Sequence, residues 1–174
     1  MTIRPEILQE LFVVGLRNAH AVEKQALSIM TPQVERIVNY PEVADRLRLH
    51  IDETHGQIAR IDEILAGLDT SASTLKDTAL SMSGGMAAIA HSVAGDEILK
   101  NSYANYAFEH FEIAAYKSLL TLAEDGGFAQ ATTALCQSLS EEEAMAAWID
   151  QSLPDVTRRY ASLRSEAGSS EAKV

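Results

Sequence analysis

Glu109, Glu112 and Tyr116 stand three and four residues apart in AFEHFEIAAYKSLL (107–120), beside an apolar helical row of Phe108, Phe111, Ala115 and Leu119. The acids border or enter that face. Three other runs carry a glutamate in a comparable setting: His20, Glu23 and Leu27; His50, Glu53 and Gln57; and Leu139, Glu142 and Ala146. One glutamate from each of four helices is the composition of a carboxylate metal site inside a bundle, because a carboxylate taken out of water needs a cation close by. Aligned on Glu23, Glu53, Glu112 and Glu142, one flanking layer holds Leu27, His50, Glu109 and Ala146. The other holds His20, Gln57, Tyr116 and Leu139.

Carboxylate and imidazole ligands suit iron, manganese or zinc, and bridging glutamates hold two ions together while neutralising them. The metal ligands expected on this pattern are Glu23, His50, Glu53, Glu109, Glu112 and Glu142. Glu53 and Glu142 would be terminal or chelating, Glu23 and Glu112 bridging, and His50 and Glu109 would complete one ion, with Tyr116 as a neighbouring hydrogen-bond donor. Two iron ions so placed could take dioxygen or peroxide, giving oxidase, peroxidase or ferroxidase chemistry. Two features oppose it. The Glu-x-x-His pair of such sites is missing, since Gly56 and Met145 stand three residues after Glu53 and Glu142, and His50 would have to substitute from three residues before. Acids on helix flanks are also commonly solvated or paired with Lys or Arg, and Glu141 to Glu143 read as a surface run. His55, His91 and His110 lack partners at a ligand spacing and read as surface or interface residues, and His20 is a weak candidate.

The elements that would carry these residues are helices. The first starts at Pro5 and runs to about Met30, with an interruption at Thr31 and Pro32 before a short resumption over Val34 to Val38. The second runs from Pro41 to Gly67. From Asp69 to about Gly95 the chain is rich in Ser, Thr, Ala and Gly, and two short helices are expected near 73–82 and 85–93. A crossover of that length makes the third helix, Asp96 to Glu124, parallel to the second. The fourth covers 128–153, Pro154 forces a break, Asp155 caps one more short helix to Leu163, and the tail from 167 to 174 frays. One domain over 1–166 is expected, all-α, built as a four-helix bundle.

With 25 acidic and 14 basic residues the net charge is −11, which disfavours nucleic acid as a partner. No apolar run suggests a membrane span or a leader. The single Cys136 excludes an intrachain disulfide and reads as a small buried thiol, and the expected location is cytoplasmic.

The runs LQELFVVGLRNAHAVEKQAL, HIDETHGQIARIDEIL, FEHFEIAAYKSLLTLAEDGGFAQA and LSEEEA resemble the YciE/YciF family of stress-response proteins, in that order, over about Ile7 to Leu153. The resemblance implies a ferritin-like four-helix bundle with a di-metal site, a homodimer, and a role in stress. It supports Glu23, His50, Glu53, Glu109, Glu112 and Glu142 as site residues. Ala146 departs from the family, which commonly has an aspartate there, and the loss puts a second ion in doubt. The rival reading is a non-catalytic dimeric bundle with a structural metal or none.

Overall fold

The structure, a computed structural model, describes residues 3–68, 94–167 and 172–174. Four long helices make up the fold: α1 Pro5–Arg36, α2 Pro41–Gly67, α3 Glu97–Gly126 and α4 Ala129–Ala167. Pro5 and Pro41 sit in the first turns of α1 and α2, where a missing N–H breaks no helical bond. Gly127, at φ 74°, ends α3 in the left-handed conformation, and its N–H returns to the carbonyls of Ala123 and Glu124. The short helices expected near 73–82 and 85–93, and His91, lie outside the described residues.

Two expected breaks do not occur. The first helix continues through Pro32 to Arg36, and the fourth continues through Pro154 to Ala167 in place of a separate short helix. Both prolines face solvent, where water takes the carbonyl that each leaves without a helical partner. Asp155 pairs with Arg158 at 2.7 Å within the continuous helix.

Cross-helix contacts set the topology. Glu23 meets Tyr116 and Gln33 meets Asn105, so α1 and α3 are antiparallel. His20 lies 3.2 Å from Asp62, while Met30 shares an apolar cluster with Val43, so α1 and α2 are antiparallel as well. Helices α2 and α3 are therefore parallel, which a tight turn between them cannot give, and this is the ferritin-like arrangement. Helix α4 closes the square against α3, through Lys117 with Glu143, and against α2, through Arg60 with Ser138.

The core is apolar at both ends and polar between. Phe12, Leu16, Ile61, Leu65, Leu119 and Leu135 form one cluster, and Met30, Tyr40, Leu47, Ile98, Phe108, Met145 and Ile149 the other. The face of α3 is rotated from the expected one: Phe111 is 46% exposed while Glu109, Glu112 and Tyr116 point inward. Cys136, expected inside, is exposed. No helix among the described residues is long and apolar enough to cross a membrane.

Of the tail expected to fray, the described residues 172–174 pack on the bundle. Ala172 is 0% exposed, and its carbonyl accepts a hydrogen bond from the Tyr40 hydroxyl at 2.7 Å. The Ile98 N–H donates to the Lys173 carbonyl, and the Asn39 N–H to that of Val174. Tyr40→Phe would strand the buried Ala172 carbonyl, so its denaturant midpoint should fall by the equivalent of about 1–3 kcal/mol. An unchanged midpoint would mean that this contact does not hold the tail.

Candidate metal centre

Each helix sends one or two groups into the polar layer: Glu23 from α1, His50 and Gln57 from α2, Glu109 and Glu112 from α3, and Glu142 from α4. On α3 the spacing of three, then four, places Glu109, Glu112 and Tyr116 along one inward row. All are nearly dry, with Glu142 0%, Glu23 1%, His50 1%, and Glu109 and Glu112 2% exposed. Ligand atoms of His50, Glu109 and Glu142 lie within 4.8 Å of one another, so these three residues could hold a metal ion. The His50 Nε2 is 3.1 Å from Glu109 Oε2 and 3.6 Å from Glu142 Oε2.

The polar partners come from the flanking positions. The Gln57 amide donates to Glu142 Oε1, and the Tyr116 hydroxyl donates to Glu23 Oε1. One oxygen on each of the four acids, Glu23 Oε2, Glu109 Oε2, Glu112 Oε1 and Glu142 Oε2, is buried without a hydrogen bond. Among the described residues no Lys or Arg pairs with any of these four. Glu97, equally buried at one end of the bundle, differs: Arg36 and Lys173 reach it at 2.7 and 3.3 Å. Orphaned acid oxygens around one imidazole are the donor set that a divalent ion completes, so the residues present fit a metal.

Electrostatics follow from that shortage of cations. Burial lifts Glu23 to about 7 against the hydrogen bond from Tyr116. Burial, with the contact and charge of Glu109, lifts Glu142 to about 10. Burial and the charges of Glu23, Glu142 and Glu109 hold Glu112 well above the usual carboxylate range. Burial alone would depress His50, but contacts with Glu109 and Glu53 raise it to about 10. Burial and the Glu23 charge also push the Tyr116 hydroxyl above its ordinary range.

Of the six residues expected as ligands, the structure brings His50, Glu109 and Glu142 into one cluster and lines Glu23 and Glu112 up beside it. Glu53 stands apart. Its Oε2 lies 2.8 Å from His50 Nδ1, on the opposite edge of the ring from the cluster, and 3.0 Å from Arg46 Nη1. Burial raises the Glu53 carboxyl, but the contacts from His50 and Arg46 outweigh it and hold the group below its ordinary value. Helix α2 thus turns His50 inward and Glu53 toward the rim. Arg46 was missed, although its place seven residues before Glu53, two turns along one helix face, could have signalled the pair. His20 is buried away from the cluster against Asp62, and burial keeps its pKa low.

A raised folded-state pKa favours folding below the unfolded value and loses that contribution as pH rises through the folded one. For Glu23 and Glu142 the loss runs from an ordinary 4.5 up to about 7 and about 10, and for His50 from 6.5 up to about 10. The lowered Glu53 acts only at the acid end. Metal-free protein should therefore melt at a lower temperature at pH 9 than at pH 6. A melting temperature that rises across that interval would contradict this charge distribution.

Residues 7–162 match the family described as Domain of unknown function (DUF892). Protein YciF of Escherichia coli strain K12 is 28% identical over 144 residues, covering 79% of this chain and 84% of the relative. The crystal structure of a protein from Xanthomonas campestris pv. campestris is similar, with a TM-score of 0.76 and 28% identity over 91% of this chain and 99% of the other. That of the E. coli stress protein YciF superposes with a TM-score of 0.72 at 23% identity, covering 87% and 98%. The match spans all four helices and every residue of the buried cluster, so the chain belongs to the DUF892 family and has the helical-bundle architecture of YciF.

Proposed function

We propose that the protein is a metal-binding bundle that holds iron between His50, Glu109 and Glu142, with Glu23 and Glu112 serving a second ion, and that it consumes small oxidants under stress. The observation that carries this reading is the contrast in countercharge. Glu97 has two basic partners, whereas four equally buried carboxylates share one imidazole. Four carboxylates bring a charge of −4, which two divalent ions balance, whereas one ion leaves half of it in a dry core. The stress role is taken from the E. coli protein, whose structure is that of a stress protein.

Bound iron would supply the electrons that reduce dioxygen or peroxide. The chain does the rest. Glu53, anchored by Arg46, accepts the proton on His50 Nδ1 and so leaves Nε2 free to face the cluster, the outer-carboxylate arrangement that orients a ligand imidazole. Gln57 holds one oxygen of Glu142, and Tyr116 one oxygen of Glu23, leaving the opposite oxygens for the metal. The apolar clusters on either side keep bulk water from the layer.

A second reading, a bundle whose acids are protonated and linked by hydrogen bonds without metal, is favoured by one observation. Gln57 and Tyr116 already donate to two of the acids, and Ala146 adds no ligand. Metal content separates the two. Protein purified without chelator should carry about two irons per chain if each ion is balanced as above. Glu142→Gln should lose most of that metal together with the melting-temperature gain it confers. Glu53→Gln should keep the fold but weaken metal affinity by about 10–100-fold. Wild-type protein without stoichiometric metal after anaerobic iron addition would leave the hydrogen-bonded reading in its place.

A further inference from the structure

We infer that a narrow cleft between α1 and α3 is the entry and holding site for a small uncharged oxidant, of the size of dioxygen or hydrogen peroxide, on its way to Glu109. This deepens the metal reading above and rests on it. Its half-buried lining residues, Ile29 and Ala104, stand nearest solvent, and Ala26, Met30, Phe108 and Glu109, all buried, line the rest. Glu109 belongs to the metal cluster, and its Oε2 is one of the buried acid oxygens without a hydrogen bond.

Size and polarity set what can enter. The free space is about 10 Å³, enough for one water-sized molecule. An organic hydroperoxide does not fit. Asn105 also lines the cleft, but its amide is spent on Gln33, through bonds of 2.9 and 3.3 Å, so the walls are effectively apolar. A hydrated cation would shed its water there without replacement ligands, and an anion would meet the Glu109 carboxylate. Dioxygen and hydrogen peroxide carry no net charge and meet neither the ionic desolvation cost nor the charge repulsion. The broader groove between α3 and α4, lined by Tyr106, His110, Lys117 and Asp150 among others, is more polar than the cleft and none of the cluster residues lines it.

The cleft can be read without iron. In metal-free protein under dioxygen pressure, methyl protons of Ala26 and Met30 should relax several-fold faster than that of Ala131, which is equally buried in the distant apolar cluster. Ala104→Leu, or Ile29→Phe should that variant misfold, should abolish the difference at Ala26 and Met30. In iron-loaded protein, hydrogen peroxide should oxidise the iron far faster than cumene hydroperoxide, and the filled variant should slow peroxide several-fold at unchanged iron content. Equal relaxation at Ala26 and Ala131, or equal rates with the two peroxides, would overturn the inference. Enhanced relaxation at Ala26 in a protein that binds no iron would uphold entry to the cleft and overturn the metal reading.

Discussion

Four carboxylates removed from water in the middle of a helical bundle set the terms for everything around them. An ionised acid in a dry core is prohibitively costly alone, so each must be protonated, paired or bound to a cation. The bundle supplies few pairs. His50 serves Glu109 and Glu142 from one ring nitrogen, Gln57 and Tyr116 each satisfy one oxygen, and Glu23 Oε2 and Glu112 Oε1 have no hydrogen-bond partner. Elsewhere the same chain neutralises a buried acid fully, with Arg36 and Lys173 on Glu97. The packing can deliver basic side chains to a buried carboxylate, so their absence from the central layer is a property of that layer.

The missing Glu-x-x-His pair takes on a different meaning once α2 is oriented. In this chain the imidazole itself is the inward group of α2, and Glu53 sits behind it as the partner of Nδ1. Arg46, Glu53, His50 and Glu109 form a chain of contacts, along which a largely buried guanidinium fixes the orientation of a buried ring.

Much of this was legible before any coordinates. Helix boundaries at Pro41 and Gly67 follow from local chemistry that no tertiary contact needs to assist, and three of the four aligned glutamates, Glu23, Glu112 and Glu142, lie in the polar layer that Glu53 only borders. What was not legible depends on which way a helix is turned. The stripe of Phe108, Phe111, Ala115 and Leu119 and the row of Glu109, Glu112 and Tyr116 are neighbouring faces of α3, and apolarity alone favoured the former; Phe111 is outside because α1 and α4 clamp the acidic row. Pro32 and Pro154 were read as breaks because a sequence does not show that their faces are solvated, where one lost bond is tolerable. Cys136 is exposed because α4 buries the face carrying Leu135, Ser138 and Glu142, one position away. The tail reads as polar, and its contacts with Tyr40, Ile98 and Asn39 show why residues 172–174 are held.

The central claim, that the acid oxygens around His50 converge on a cation, is tested most directly by anomalous diffraction from crystals grown with ferrous iron under anaerobic conditions. The expected result is a strong peak about 2.0–2.2 Å from His50 Nε2 and from one carboxylate oxygen each of Glu109 and Glu142, distances ordinary for such ligands. Density for directly hydrogen-bonded acids with no anomalous peak, at full iron concentration and neutral pH, would contradict it.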